Sequence, residues 1–540
     1  MWWSRVGYRA LGALCLGAAL AAPGAMAAAP AASDVGKVLA APRDSGLPAD
    51  WDRKGVFIEI LVRAYQDSDG DGIGDLNGVT QRLDYLKSLG VSGIWLMPIS
   101  ASQDHDHGYA PLNYRAIEPE YGTLADFDRL VAEAHKRGIG VILDYVINHS
   151  AAEHPLFQHA ADDAASPYRD WYVFSDTEQK GWTTYGGDPW RQNGASWYYG
   201  AFDVIMPDWN LRNPAVVDFH LDNLCFWLNR GVDGFRFDAV GVLYENGPLE
   251  WDNQPENHAL MKRAQDLLDA YGKRYMVCEA ASDPAAFSAA DSCGSAFAFG
   301  LQKYLIKSVQ MGRVTSDLLY LLRTMPVARM ATILSSHDYY AGSRPFKQFG
   351  GDEARYKLAA ATLLTLPGRP FIYYGEEIGL VHSQPVDYQD QSIRGPMSWS
   401  GEANAGFTTA QASFRPLVEN WRSHNVAAQQ DRPDSLLNAY RALIALRNAH
   451  PALQTGSFEV ISRDDDPVFA FVREADGERL LVLINYAARD AEVALPEGVQ
   501  ASAWSAIYPA GSTQRFGGTT AAAKHVKLAP MSVAVFSAAR

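Results

Sequence analysis

The chain has 540 residues, 48% of them hydrophobic and 20% charged, and a formal net charge of −15. That length exceeds one average domain and allows an ample core. The acidic balance argues against nucleic acid and anionic membrane as partners, and suits a neutral substrate or a bound cation.

Arg5 and Arg9 precede an apolar run over residues 10–22, and Ala25-Met26-Ala27 forms a small-residue cleavage site. Residues 1–27 therefore read as a secretory signal, and the protein as exported, either periplasmic or secreted. The run is too short to span a bilayer. Of the four cysteines, Cys15 leaves with the signal, so Cys225, Cys278 and Cys293 remain and at least one thiol is unpaired. A Cys278–Cys293 bridge stands as the minor alternative to buried free thiols.

Near-continuous apolar runs at 56–61, 93–99, 138–146, 232–240, 275–280, 331–335 and 370–374 read as strands of a buried parallel sheet. Residues 295–299 are a weaker eighth. Helical periodicity lies between them at 76–89, 124–137, 215–229 and 353–365. This βα order indicates a TIM (β/α)8 barrel or a doubly wound sheet. Residues 149–209 break the order; they are rich in Trp, Tyr, Gly, Asp and Pro, without helical period. After a helix at 436–448, residues 454–540 alternate apolar and polar in short segments, as a small all-β domain does.

Early in the chain, Asp67-Ser-Asp69-Gly-Asp71-Gly72-Ile73-Gly74-Asp75 places carboxylates at alternate positions around a tight turn. Such an oxygen-rich loop suits Ca2+, with Asp67, Asp69, Asp71, the Ile73 carbonyl and Asp75 as ligands. It starts like an EF-hand, but Gly78 stands at the twelfth position in place of Glu. A solvated acidic turn is the bland alternative.

The most telling stretch is Gly234-Phe-Arg236-Phe-Asp238-Ala-Val240, which puts a guanidinium and a carboxylate two residues apart in an apolar strand. Alternation sends Arg236 and Asp238 to one face and Phe235 and Phe237 to the other. Arginine beside a buried carboxylate lowers its proton affinity, which suits a nucleophile, although a purely structural ion pair has the same signature. Other motifs end strands: Asp144-Tyr-Val-Ile-Asn148-His149, Cys278-Glu279-Ala280 and Ser335-Ser336-His337-Asp338. Met206-Pro207-Asp208-Trp209-Asn210 closes the irregular stretch.

In order and spacing these motifs resemble the conserved regions of the alpha-amylase family of glycoside hydrolases. The resemblance runs from about Trp51 to Asn448 and takes in Tyr374-Gly375-Glu376-Glu377-Ile378-Gly379 and Arg394-Gly-Pro-Met-Ser-Trp399. It implies a catalytic barrel over 28–148 and 210–453, an insertion after the third strand over 149–209, and a C-terminal β-sandwich over 454–540. It implies further that Asp238 is the nucleophile, Glu279 the general acid/base, and Asp338 the carboxylate that steadies the distorted sugar. The apolar strand end before Glu279 is expected to raise its proton affinity, as a donor requires.

By the same resemblance Asp144, His149, Arg236 and His337 bind hydroxyls or orient carboxylates, and Tyr109 stacks under the sugar. The acidic loop matches a calcium loop that family members carry after the first barrel strand. Asp106 and Arg394 match positions that close a pocket in the family's α-glucosidases, whereas His107 and the Met-Pro-Asp motif look more like its amylase and neopullulanase branches. The leading expectation is thus a retaining hydrolase of α-1,4-linked glucans or maltooligosaccharides. An exo-acting α-glucosidase or glucosyl transferase on short α-glucosides is the alternative, and a non-catalytic carbohydrate-binding relative is more remote. Three positions depart from the family's common pattern: Ala110 often holds Asp, Gly241 often Lys or His, and Ser336 commonly Asn.

Overall fold

A computed structural model describes residues 34–500, 503–516 and 525–539. The signal segment 1–27 lies outside them.

Seven short parallel strands form one sheet: β1 (Phe57–Ile60), β2 (Gly93–Leu96), β3 (Gly140–Tyr145), β4 (Gly234–Phe237), β5 (Tyr275–Cys278), β6 (Ala331–Thr332) and β7 (Arg369–Tyr373), in the order β5-β4-β3-β2-β1-β7-β6. The weaker candidate supplies the eighth position as two isolated parallel bridges, Cys278 to Ala296 and Phe297 to Ala331, which join β5 to β6 and close the barrel. Each expected strand is found, most of them shorter than expected and the last shifted by one residue to Arg369–Tyr373. The helix expected over 76–89 is divided at Arg82 into Leu76–Gln81 and Leu83–Leu89.

Strand alternation explains where chemistry can sit. Phe57, Trp95, Ile142, Tyr275, Val277, Phe297 and Phe371 pack together in one buried cluster inside the barrel. Ile58, Ile94, Val141, Leu143, Phe235 and Met276, one residue out of phase, join the larger cluster with the helices. The inward positions beyond the apolar layer are Glu59, Asp144, Arg236, Asp238 and Glu279. β1, β3 and β5 thus point an apolar residue inward near the start and a titratable one at the end, while β4 supplies Arg236 and Asp238.

Between β3 and β4 the chain makes a three-stranded antiparallel sheet, in the order Phe174–Ser175, Ser196–Tyr199, Trp190–Asn193. Trp209 and Tyr199 are buried, and Trp209 stacks on Tyr172 at 4.3 Å between ring centroids. After the helix Leu436–Ala449 a six-stranded antiparallel sheet begins at Ser457–Val460, faced by the pair Ala491–Ala494 and His525–Leu528. Val468, Leu481, Val493, Val526 and Phe536 form its separate core. Cys278 and Cys293 are joined by a disulfide and Cys225 is a buried free thiol, which corrects the expectation of three unpaired cysteines. Among the described residues no helix is long and apolar enough to cross a membrane.

Candidate active site

Arg236 is the hub. It is 2% exposed, and β3–β4 register sets it opposite Asp144. Its Nη1 donates to Asp144 Oδ1 (2.9 Å) and Asp238 Oδ1 (2.6 Å), and its Nη2 donates to Glu279 Oε2 (2.6 Å). One cation therefore serves three carboxylates. Trp95 Nε1 (3.2 Å) and the Tyr109 hydroxyl (2.8 Å) also donate to Asp144 Oδ2. Burial lifts the Asp144 pKa to about 6 against the pull of Arg236 and His337.

Asp238 was expected to have a lowered proton affinity. The structure points the other way: burial pushes its pKa well up, Arg236 opposes, and the neighbouring Glu279 and Asp144 add to the rise. The sequence shows the arginine but not that three carboxylates divide it. Just past Asp238 the chain turns through Ala239 in the left-handed region (φ 47°, ψ 37°). A non-glycine residue there costs roughly 1–3 kcal/mol. The turn aims the Ala239 N–H at Glu279 Oε2 (3.2 Å), and the Val240 N–H donates to the Glu279 carbonyl (3.0 Å).

Asp338 lies across the cavity. Arg394 Nη2 donates to its Oδ1 (3.0 Å), and His337 Nε2 stands 3.1 Å from its Oδ2. Burial works against ionisation there, but His337 and Arg394 overcome it and hold Asp338 below the usual carboxylate range. For His337, burial opposes charge while Asp338 and Glu59 favour it, and the pKa rises to about 10. The His337 ring stacks on Tyr109, with centroids 5.4 Å apart. His149 faces the Tyr109 carbonyl (2.8 Å), and burial lowers its pKa to about 4, so it is neutral.

These groups open into one cavity of about 740 Å³, lined by Asp238, Glu279, Asp338, His107, Tyr109 and His149 among others. Its upper wall comes from the insertion, where Tyr185 and Phe202 stack at 5.3 Å. The three unusual positions lie around it. A Cβ on Gly241 would meet Asp252 Oδ1 at 2.7 Å, so a lysine or histidine there would displace Asp252. Ser336 Oγ accepts from the Asp338 N–H (3.3 Å), and the buried Ala110 carbonyl accepts from Gln103 N (2.9 Å).

Asp106 and Arg394 do not pair. Asp106 Oδ1 accepts from Arg415 Nη2 (2.6 Å), while its Oδ2 accepts from the Tyr388 hydroxyl (2.9 Å) and Gln391 (3.2 Å). Burial opposes ionisation of Asp106, but Arg415, with His107 and Tyr388, brings its pKa down to about 2. Arg394 is spent on Asp338 and the His337 carbonyl (2.9 Å), and its buried Nη1 has no protein acceptor among the described residues. Tyr388 also lines the cavity. It stands in the cavity wall with His107 and Arg394, and its hydroxyl is anchored on Asp106, which Arg415 holds in turn.

Among the residues at this site that the sequence did not single out are Glu59, Tyr340, Tyr388 and Arg415. Only Glu59 carried a signal, a lone charge inside the strand Phe-Ile-Glu-Ile, like that of Arg236. The other three come from loops without pattern.

At the acidic loop, carboxylate oxygens of Asp67, Asp69 and Asp71 lie within 4.8 Å of one another. Ligands of one calcium ion at 2.3–2.6 Å are up to about 5 Å apart, so the spacing suits a hard cation, while Asp67 also accepts from Asp69 N (3.0 Å), Gly70 N (2.7 Å) and Gly72 N (2.9 Å). Asp75 is engaged otherwise: its Oδ1 caps the helix Leu76–Gln81 through Gly78 N (2.7 Å), and its Oδ2 accepts from Ser68 N (2.7 Å). The Ile73 N–H donates to Asp71 Oδ1 (2.7 Å).

Comparison with known proteins decides the family. The family model "Alpha amylase, catalytic domain" matches residues 59–456. The chain belongs to the alpha-amylase family. It is 35% identical over 505 residues to a trehalose synthase/amylase TreS of Mycolicibacterium smegmatis, covering 82% of this chain and 83% of that one. It is 29% identical over 530 residues to a trehalose-6-phosphate hydrolase of Bacillus subtilis, covering 84% and 93%. Among solved structures, the alpha-glucosyl transfer enzyme XgtA is similar with a TM-score of 0.78 and 31% identity, over 91% of this chain and 99% of that one. As a member, this chain is a glycosidase or transferase type of enzyme directed at α-glucosides, and the family does not single out starch.

Proposed function

We propose that this enzyme takes one glucosyl unit from the non-reducing end of short α-glucosides and passes it, by double displacement, to water or to another sugar. The observation that carries the reading is Tyr388 in the cavity wall beside His107 and Arg394: its hydroxyl donates to Asp106, which Arg415 holds in turn, and we read this wall as closing the cavity at that end. An endo-acting amylase needs a passage there for the rest of the chain. The trehalose- and glucosyl-transfer enzymes to which this chain is similar support the same side.

In the first displacement the Asp238 carboxylate attacks C1, and Glu279 protonates the departing oxygen through Oε1, its Oε2 being held by Arg236 and Ala239. Asp238 and Glu279 both accept from the Arg236 guanidinium, which holds the two carboxylates near each other, as a retaining mechanism needs. Asp338, kept ionised by His337 and Arg394, faces the positive charge that develops on the sugar ring. Arg394 Nη1 is free to donate to a sugar hydroxyl.

The test is the early product profile. Maltose, trehalose, sucrose and maltoheptaose should give glucose or glucosyl-transfer products from the first turnovers, with α-glucose formed first. Products of several lengths from maltoheptaose would defeat the exo reading.

Calcium is part of the same proposal: Asp67, Asp69 and Asp71 would hold it with the Ile73 carbonyl, and bound cation would fix the loop after β1. Export is proposed too, supported by residues 1–27 and by the Cys278–Cys293 bridge, which fits an oxidising compartment.

A further inference from the structure

Glu279 has one oxygen left for chemistry, and a protein group already stands on it. Oε2 accepts from Arg236 Nη2 (2.6 Å) and Ala239 N (3.2 Å). Oε1 accepts from the Tyr340 hydroxyl at 2.6 Å. Tyr340 follows Asp338 in the short turn Tyr339–Ala341; its ring packs on Phe299 (5.3 Å), and it is 47% exposed, lining the cavity. A general base must lie about 2.6–3.2 Å from the oxygen whose proton it takes. The Tyr340 hydroxyl therefore occupies the place of the attacking oxygen in the second displacement.

We propose that Tyr340 is a positioning residue that keeps water off Glu279 Oε1 and so favours glucosyl transfer over hydrolysis. The inference rests on the double-displacement reading given above. In the glucosyl-enzyme, Glu279 is a carboxylate and Tyr340, a neutral phenol, donates to it. A water molecule must break that hydrogen bond using one contact of its own. A sugar acceptor brings further contacts from the cavity wall and displaces the hydroxyl more readily. Glu279 Oε1 then takes the acceptor's proton, the acceptor oxygen bonds to C1, and the C1–Asp238 bond breaks with its electron pair returning to the Asp238 carboxylate.

The test is Tyr340→Phe, with Tyr340→Leu as a second variant, on α-glucosyl fluoride, whose leaving group needs no acid. Without acceptor, the turnover of the glucosyl-enzyme by water should rise about tenfold in both variants, the size expected for losing a hydrogen bond to a charged group. With maltose present as acceptor, the ratio of transfer to hydrolysis should fall by the same factor, and Tm should hold. If Tyr340 instead binds the acceptor, the ratio falls but the acceptor-free rate does not rise, and the proposal is overturned. An unchanged rate and ratio overturn it equally. The reading it rests on fails separately, through absence of fluoride release by the wild type or its survival in Asp238→Asn.

Discussion

Two ends of one cavity are built on different principles. At the catalytic end the groups stand on strands: Asp144, Arg236, Asp238 and Glu279 project from β3, β4 and the end of β5 onto a shared hydrogen-bond hub. At the Tyr388 end the groups come from loops far apart in the chain. Asp106 lies after β2, while Tyr388 and Arg415 lie beyond β7. Strand geometry fixes the first set to within the tolerance chemistry demands, and loops let the second set vary without disturbing it. The barrel therefore places the carboxylates on Arg236, and we propose that the loops set the choice of substrate.

The sharpest way to break that division is at the hub. Asp238→Asn and Glu279→Gln should each lower turnover of natural α-glucosides by at least about 10³-fold, since nucleophile and proton donor have no substitute. The two should differ on α-glucosyl fluoride. Glu279→Gln should still form the glucosyl-enzyme, because fluoride leaves without protonation, whereas Asp238→Asn should not. Equal behaviour of the two variants in a fluoride-release assay would show the roles to be misassigned.

At the Tyr388 end, Arg415→Ala strips the ion-pair partner from a mostly buried Asp106. Allowing for solvent screening, the loss is about 2 kcal/mol, or roughly thirtyfold in kcat/KM on maltose. Turnover of α-glucosyl fluoride should change far less, and longer products should appear from maltoheptaose as the end opens. Loss of both activities in step would mean that the two ends are one unit. Arg394→Ala should behave differently, lowering kcat on every substrate, because Arg394 belongs to Asp338.

The same division explains what the sequence disclosed. Strands announce themselves by apolar runs, and a charge inside such a run is conspicuous; Arg236, Asp238 and Glu279 were legible for that reason. The barrel order and the C-terminal sheet were legible from periodicity as well. Loop partners were not. Nothing in Ser-Phe-Arg415-Pro marks its arginine as the mate of Asp106, and Arg394 was the more conspicuous candidate. The rise in Asp238 proton affinity was hidden too, because it depends on how many carboxylates converge on one guanidinium, a three-dimensional count. The disulfide was not legible either, since two cysteines fifteen residues apart do not reveal that a turn brings them together.

The acidic loop extends the comparison to stability. Asp67 N donates to the Phe407 carbonyl (3.1 Å), and Thr408 Oγ1 donates to Asp67, so the loop is tied to the segment that leads to Arg415. A cation bound only by the folded state stabilises by mass action. Chelation should lower Tm by about 5 °C, with calcium restoring it. Asp69→Ala combined with Asp71→Ala should lower Tm and abolish the response to chelator. A melting curve indifferent to chelator and to both substitutions would reduce the loop to a turn.

The smallest effect concerns His337, which joins the strand-borne and loop-borne sets. Its Nδ1 contacts Glu59 on β1, and its Nε2 contacts Asp338, itself bound to Arg394. Its folded pKa, about 10, lies above the value of about 6.5 expected in the unfolded chain. Below the unfolded value both states hold the proton, and the contribution to stability is complete. Above it the folded state binds the extra proton, so stability falls as pH rises, and the contribution is gone once pH passes the folded value. Tm should therefore decline between about pH 7 and 10 more steeply in the wild type than in His337→Gln. Glu59→Gln removes one of the two carboxylates that hold the proton, so it should flatten the slope part of the way. If both variants kept the wild-type slope, His337 would be neutral in the folded enzyme. The charge that keeps Asp338 ionised would then have to come from Arg394 alone.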